Sequence, residues 1–325
     1  MTVEGPARTV GITFSLCALF LCAWIVLIGL RDRTIERRVS NVALSSTGKW
    51  LAAGTSEGKI TVWDRTSGVA ARQIDFPHGS LNDLQFSPDE HLLAIASKDL
   101  GIYAPEQSAA PWLVRSDAQN YGTVRFSRDG KNLLVVTGTG VIETIDAHSG
   151  ATRLTICCSS VYGEVSFTPD EQAIANAGHW PSLWDAGSGH LVAQFTSDRQ
   201  ISTFRPIAFD ANRGTILMGS QDGRVYGWDL KTRHLIAKSA PQSEYVDTLT
   251  VSGTGWVIYA GFGSMVRLWS PETGQQRSLP TARPTSNLVL GPDGTSIFFG
   301  TAHGELESWD TRTGLRLTAM TIPGL

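Results

Sequence analysis

Cysteine is scarce in this chain of 325 residues, and its four cysteines form no disulfide framework. Two of them lie in an apolar N-terminal run, and Cys157 and Cys158 are sequence neighbours, which strains a mutual bridge. The seven histidines are scattered and no C-x-x-C spacing occurs, so the pattern favours no metal site. No Gly-rich loop leads into a helix to hold a phosphate or dinucleotide, and we therefore expect no cofactor.

An excess of positive charge is also missing. The formal net charge is −3, so the chain has no overall positive field with which to neutralise phosphates, and the composition argues against nucleic acid as a partner. Apolar residues, by contrast, are plentiful, with 42% hydrophobic and 18% charged residues. A chain of this length and composition is predicted to be globular with a sizeable buried core.

The longest apolar run covers the 21 residues from Val10 to Leu30 and contains no charge. As a helix it would span about 31 Å at about 1.5 Å per residue, which matches one bilayer core. A cleaved signal peptide is the alternative, but it would normally begin with basic residues and end in small ones, whereas here the arginines follow the run. We predict an N-terminal tail (1–9), a transmembrane helix (10–30) and a basic linker (31–38).

The basic residues around this run predict its orientation. Arg8 alone precedes the run, and four arginines follow it at positions 31, 33, 37 and 38. The positive-inside rule therefore predicts a single-pass membrane protein whose remaining chain is cytoplasmic. Because a tail of nine residues crosses a membrane readily, the exported side is the alternative.

A unit of about 41 residues recurs seven times in the rest of the chain. Each copy begins with an apolar residue, continues through a polar or Pro/Gly turn such as "SPDE" or "GPDG", and ends in an apolar strand. The leading residues are Leu44, Phe86, Phe126, Phe167, Phe209, Val251 and Leu290. About 19 residues later most copies carry a second anchor: Trp63, Tyr103, Ile145, Trp184, Trp228, Trp269 and Trp309. Four of these tryptophans are followed by aspartate, those at 63, 184, 228 and 309.

This series, from about residue 39 to 324, resembles the WD-repeat β-propeller family. The resemblance implies an all-β, seven-bladed propeller of four-stranded antiparallel blades, preceded here by the one transmembrane helix. It also implies that the tryptophans lie on third strands as structural anchors, at Trp63, Trp184, Trp228, Trp269 and Trp309. In "SQDGRVYGWD" of blade five, Asp222 is expected to shape a turn and to hydrogen-bond within its blade.

Closure of the ring has two solutions. In many propellers of this family the first strand of the chain completes the last blade, whereas here "LRLTAMTI", Leu315 to Ile322, offers blade seven an outer strand of its own. We predict closure by this C-terminal strand.

The sequence offers little catalytic chemistry. "GTSEG", Gly54 to Gly58, matches the serine-hydrolase pattern, but it falls in a turn between two predicted strands with no helix after it. Four aspartates recur at one repeat position and are expected in separate turns, too far apart to act as an acid and base pair: Asp89, Asp129, Asp170 and Asp293. We predict no catalytic residue and no enzyme.

Differences between the copies are the better guide to a binding surface. "HWP", His179 to Pro181, replaces the usual polar turn before Trp184 in blade four. Tyr121, Tyr162 and Phe204 share one repeat position just before the first strand. Trp and Tyr are favoured at interface hot spots. We hypothesise a partner-contact patch of Trp180 and His179 together with those three aromatics; the alternatives are that Trp180 folds onto its own blade and that the three lie in the interblade core.

The predicted function is that of a non-catalytic, membrane-anchored platform, a scaffold or accessory subunit that binds other proteins. The alternative is a propeller enzyme or small-molecule binder that uses the central channel. An enzyme should show ionisable side chains that converge at the ring centre, whereas a platform should show an exposed apolar or aromatic patch.

Overall fold

The computed structural model describes residues 39–76, 80–104, 111, 113–115, 119–157, 163–196, 204–279 and 284–321. Contacts divide the chain into Met1–Arg37 and Arg38–Leu325, and all described residues lie in the second unit. The predicted tail, membrane helix and linker (1–38) thus lie outside the described residues. Within those residues, no helix has both the length and the apolar character needed to cross a bilayer.

In the described residues, twenty-eight strands form seven four-stranded antiparallel sheets, and each sheet uses four consecutive strands. Blades one to three contain β1 (Val39–Leu44), β2 (Trp50–Thr55), β3 (Lys59–Asp64), β4 (Val69–Asp75), β5 (Asp83–Phe86), β6 (Leu93–Ala96), β7 (Leu100–Tyr103), β8 (Leu113–Arg115), β9 (Thr123–Phe126), β10 (Asn132–Val136), β11 (Val141–Asp146) and β12 (Thr152–Cys157). Blades four and five contain β13 (Val165–Phe167), β14 (Ala173–Asn176), β15 (Ser182–Asp185), β16 (Leu191–Gln194), β17 (Phe204–Asp210), β18 (Thr215–Ser220), β19 (Val225–Asp229) and β20 (Leu235–Lys238). Blades six and seven contain β21 (Thr248–Val251), β22 (Val257–Ala260), β23 (Arg267–Trp269), β24 (Gln276–Ser278), β25 (Val289–Leu290), β26 (Ser296–Gly300), β27 (Glu305–Asp310) and β28 (Arg316–Thr321). The predicted all-β, seven-bladed propeller is confirmed.

The first strands of successive blades are neighbours all the way round, including β1 and β25, so they line the centre of a closed ring. Because neighbouring strands alternate in direction, two kinds of loop share one face of the ring. These are the loops between second and third strands and the connections from each fourth strand to the next blade. We call this the upper face; the remaining loops form the lower face.

The C-terminal strand closes the ring, as predicted. β28 pairs with β27 from Glu305↔Thr321 to Trp309↔Arg316, while β1 pairs with β2 inside blade one. Blade seven then meets blade one through Asn287, whose side chain accepts from Val42 N at 2.8 Å and donates to Val42 O at 2.9 Å. Among the strands that the structure describes, none is exchanged between these two blades, and side chains join them.

The predicted tryptophan anchors lie on the third strands and pack between blades. Trp63, Trp228, Trp269 and Trp309 are buried, and Trp184 is half-buried. Their burial follows from the pleat, since a third strand has neighbours on both sides and its large side chains pack against the adjoining blade.

The repeated aspartates lie in separate lower-face turns, as predicted. Asp129 accepts the Ser127 hydroxyl at 2.6 Å and Asp170 accepts the Thr168 hydroxyl at 2.6 Å, and these bonds hold the pKa of each carboxyl below its usual value. In blade five, Asp222 instead accepts the Tyr226 hydroxyl at 2.6 Å, within its own blade. "GTSEG" spans the end of β2 and the turn to β3, with no helix after it.

Candidate interaction surface on the upper face

The "HWP" loop of blade four presents a tryptophan to solvent. It joins β14 to β15 on the upper face, and Trp180 is 67% exposed. The loop is pinned, because Pro181 O accepts from Phe195 N at 2.8 Å and Ser182 donates its hydroxyl to Trp180 O at 2.8 Å. The indole therefore projects from a fixed backbone and does not fold onto its own blade.

His179 is exposed beside this indole, and the two rings meet edge to face with centroids 6.3 Å apart. Beneath them, the buried Asn176 donates to Ala177 O at 2.8 Å and accepts from the Trp184 indole N–H at 2.7 Å. The structural anchor Trp184 is thus tied through one amide to the loop that carries the exposed pair.

Tyr121 and Phe204 do not join this patch, so the predicted contact surface was wrong at both positions. Tyr121 is fully buried in the cluster between blades two and three. Phe204 is 3% exposed and packs edge to face on Tyr226 and Trp228, with centroids 5.8 and 5.5 Å away. Both residues lie in clusters that span consecutive blades, Tyr121 in that of blades two and three and Phe204 in that of blades four and five, which is why an aromatic there is core. Tyr162 lies outside the described residues.

A second exposed patch was missed by sequence reasoning. Tyr245, in the connection from β20 to β21, is 57% exposed, and the loop from β22 to β23 carries Phe262 and Met265, which are 50% and 49% exposed. Both connections lie on the upper face, and we call these three residues the blade-six patch. One signal was available: "GFGS" places phenylalanine where the other copies carry polar turns such as "TSEG", "SQDG" and "TAHG".

The backbone beneath the blade-six patch is held in place. Phe262 N donates to the Asp247 carboxylate at 3.2 Å, and Gln242 donates its side-chain amide to Tyr245 O at 3.0 Å. The two loops touch at Gly261, where an added Cβ would lie 2.3 Å from Tyr245 O. The patch is therefore a preformed surface made by two loops in direct contact.

The mouth of the central channel opens on the same face. A cavity of about 460 Å³ lies among the first strands and upper loops, and Phe262 and Asp247 form part of its wall. Its charged lining comes from five blades: Asp83, Arg125, Glu164, Arg205 and Asp247.

Three of these groups converge, which the sequence did not predict. The Arg125 guanidinium of blade three pairs with Asp83 of blade two and lies 3.6 Å from the Glu164 carboxylate of blade four. Burial raises the pKa of Glu164, while the charge of Arg125 acts in the opposite direction. The arrangement joins three consecutive blades through one cation.

The side chains at this level also clamp the blades together. Five side chains on a first strand, or within two residues before one, accept a backbone N–H from the next blade. They are Asn287 from Val42 (2.8 Å), Asp83 from Val124 (3.1 Å), Gln85 from Phe126 (2.6 Å), Glu164 from Ile207 (3.3 Å) and Thr248 from Leu288 (2.8 Å). Asp83 and Glu164 are thus occupied by Arg125 and by backbone donors. A carboxylate committed in this way is poorly placed to exchange protons with a substrate.

Comparison with known proteins gives a consistent result. The family model described as WD40, WD domain, G-beta repeat matches residues 30–64. Actin-interacting protein 1 of Drosophila melanogaster is 22% identical over 297 residues, covering 84% of this chain and 48% of that protein. The pre-rRNA-processing protein crb3/ipi3 of Schizosaccharomyces pombe is 22% identical over 276 residues, covering 83% and 55%.

The target of rapamycin complex subunit LST8 of Mus musculus is 21% identical over 292 residues, covering 84% of this chain and 76% of that protein. The chain spans about half the length of the first two relatives. The seven four-stranded blades, the third-strand tryptophans and these similarities together support the WD-repeat family and a seven-bladed propeller for this chain.

Proposed function

We propose that this chain is a membrane-anchored, non-catalytic propeller that binds other proteins through its upper face, with Trp180 and His179 of blade four as the contact. The observation that carries the proposal is the 67% exposure of Trp180 on a pinned loop. Tryptophan is enriched among the residues that dominate binding energy, and a fixed loop loses little conformational entropy when a partner binds.

The names of two relatives support the same class of function. One is an actin-interacting protein and another is a subunit of the target of rapamycin complex, so both are named for association with other proteins. For this chain we propose only the shared class, a scaffold or accessory subunit of an assembly.

The membrane part of the proposal rests on the sequence. An uncharged run of 21 residues (10–30) followed by four arginines supports a single-pass anchor with the propeller on the cytoplasmic side. Protease treatment of intact cells tests the side: a cytoplasmic propeller stays intact until the membrane is permeabilised, and digestion before that step would place it on the exported side.

The channel mouth carries the second candidate, binding of a small polar ligand. The cavity of about 460 Å³ and its five charged side chains favour it. The carboxylates of Asp83 and Glu164, however, already hold Arg125 and backbone N–H groups, which leaves little unsatisfied chemistry for a ligand. We therefore rank the protein-binding surface first.

A pair of matched variants tests the surface. Trp180→Ala and Val69→Ala each remove an exposed side chain, since Val69 is 61% exposed, but Val69 begins β4 on the lower face. After crosslinking and detergent extraction, Trp180→Ala should bind its partner about 30-fold more weakly, which is the effect of losing about 2 kcal/mol at a hot spot. Equal recovery of all partners by both variants would contradict the proposal.

A further inference from the structure

A cleft between blades three and four opens on the lower face of the ring. Its volume is about 490 Å³, and it is lined by three lower-face turns, those that carry Asp129, Glu171 and Gly187. Leu154 and Phe167 form an apolar wall, and both pack against the core cluster that the two blades share. We call this cavity the lower cleft.

Two buried oxygens in the lower cleft have no hydrogen-bond partner among the described residues. They are Oδ1 of Asn132 and Oγ1 of Thr144. Thr144 is 8% exposed, and it pairs across the sheet with Leu134, two residues after Asn132, so both polar side chains lie on one face of the blade. Because an unpaired buried acceptor is costly, the two oxygens favour a ligand that donates hydrogen bonds.

Other blades fill this position or satisfy it. The residue before the third-strand anchor is apolar and buried in four of them: Val62, Ile102, Leu183 and Leu268. Each lies in the core cluster between its own blade and the next. Blade seven carries a hydroxyl there, but Ser308 shares a hydrogen bond of 2.6 Å with the Thr318 hydroxyl. Blade three differs from all of these, because its hydroxyl faces the next blade without a partner.

The charges around the lower cleft favour a cation. Three carboxylates line it: Asp129, Glu171 and Asp185. The first has a lysine ammonium 3.9 Å away, and the other two form no ion pair with a described residue. The one guanidinium in the lining, that of Arg153, already pairs with Asp146. The lining therefore carries more negative than positive charge.

An organic cation suits these groups better than a metal ion. Within the described part of the chain, no three His, Cys, Asp or Glu side chains are placed to hold a metal. Hydrogen bonds from the Ser188 hydroxyl and from backbone N–H groups hold the pKa of Asp185 below its usual value, so this carboxylate is ionised at neutral pH. The acceptors stand on both walls of the cleft, the two oxygens on blade three and the carboxylates on blade four. A tetrahedral ammonium, whose three donors diverge, fits this arrangement better than a planar guanidinium.

We propose that the lower cleft binds a primary alkylammonium group, whose N–H groups are accepted by Asn132 Oδ1 and Thr144 Oγ1. The two carboxylates without an ion pair balance its charge, and the apolar wall covers its hydrocarbon stem. A lysine side chain of another protein and a free polyamine share this chemistry. The site lies on the opposite face from Trp180 and does not depend on the proposed function.

The test titrates the full chain, purified in detergent, with pentylammonium, and it uses pentanol as the neutral control of equal length. Thr144→Val removes the hydroxyl and keeps the shape of the side chain. Calorimetry should show saturable binding to the native protein and at least tenfold weaker binding to this variant, because a hydrogen bond to a charged group is lost. Glu171→Gln, which removes only charge, should weaken binding about threefold. Ser308→Ala is the matched control at the same repeat position, and its affinity should stay within twofold.

Two further ligands distinguish the sources of the ammonium group. Tighter binding of N-acetyl-lysine methylamide than of spermidine supports a lysine side chain of a protein, and the reverse order supports a free polyamine. Equal affinity of the native protein and Thr144→Val for pentylammonium would overturn the proposal. Pentanol that binds as tightly as pentylammonium would also overturn it, since the cleft would then take an apolar chain. If no amine binds saturably, the two oxygens are satisfied by water and the proposal fails.

Discussion

The side-chain amide of Asn287 forms two hydrogen bonds with the backbone of Val42, accepting its N–H at 2.8 Å and donating to its carbonyl oxygen at 2.9 Å. These residues are 245 positions apart, in blades seven and one. The pair joins blades seven and one where the ring closes, while β28 supplies the outer strand of blade seven.

Replacement of this amide should destabilise the closed ring. Asn287→Ala leaves the Val42 N–H and carbonyl without partners, which should lower the free energy of unfolding by about 1–3 kcal/mol. Asn212 is exposed in a lower-face turn, so Asn212→Ala should change it by no more than about 0.5 kcal/mol. Urea unfolding of the two variants measures both values, and equal values would show that closure does not depend on Asn287.

Replacing a buried and an exposed tryptophan should separate an effect on stability from an effect on partner binding. Trp228 is fully buried against Phe195, Phe204 and Tyr226, and its indole donates to Thr196 O at 2.9 Å. We expect Trp228→Ala to cost about 3–5 kcal/mol of stability. Trp180→Ala should cost no more than about 0.5 kcal/mol while weakening partner binding. Calorimetry on both variants checks the order, and a large stability loss at Trp180 would mean that its indole packs on the ring.

Gly223 and Gly274 isolate the effect of a close backbone contact. Both have positive φ, 76° and 72°, but a Cβ at 223 would lie 2.2 Å from Gln242 O, whereas nothing lies within 4 Å of one at 274. Gly274→Ala should therefore cost only the conformational term, about 1–2 kcal/mol. Gly223→Ala should cost clearly more, because the loop at Gln242 must move. Chemical denaturation measures the difference, and similar costs would show that this loop yields freely.

The raised pKa of Glu164 predicts a pH dependence of stability. Burial raises its folded pKa above the ordinary 4.5, so the folded state retains the proton to higher pH than the unfolded state does. That contribution to stability is present below pH 4.5 and is lost as the pH rises through the folded pKa. Glu164→Gln should lack this decline. Unfolding free energies from pH 4 to 7 for both proteins test it, and parallel curves would contradict the raised pKa.

The fold could be predicted because its determinants repeat. Seven copies of a turn and an apolar strand, five of them with a tryptophan anchor, each favour the same local structure, and single blades are unstable unless they stack into a ring. The strand that closes the ring could also be predicted, because Leu315 to Ile322 continues the repeat as an apolar strand after the last tryptophan.

The site was only partly predictable. An aromatic at the start of a first strand, such as Phe204, is typical both of an interface hot spot and of a buried core. Which of the two it is depends on how the neighbouring blade packs against it. The contact of Arg125 with Asp83 and Glu164 joins three repeats, so it exists only once blades two, three and four have packed together. The exposure of Phe262 could have been predicted, because this residue stands in a turn that is polar in copies such as "TSEG" and "SQDG".

Closure without an exchanged strand also determines how long blade one stays uncovered during synthesis of the protein. Blade one is complete by Asp75, yet its Val42 must wait for Asn287, which lies 245 positions after Val42 in the chain. At about 5–20 residues per second, one apolar side of blade one waits about 12–50 s for blade seven. During that interval the nascent chain exposes the apolar side of blade one. Exposed apolar surface promotes aggregation, so this is the stage at which a chaperone is most needed.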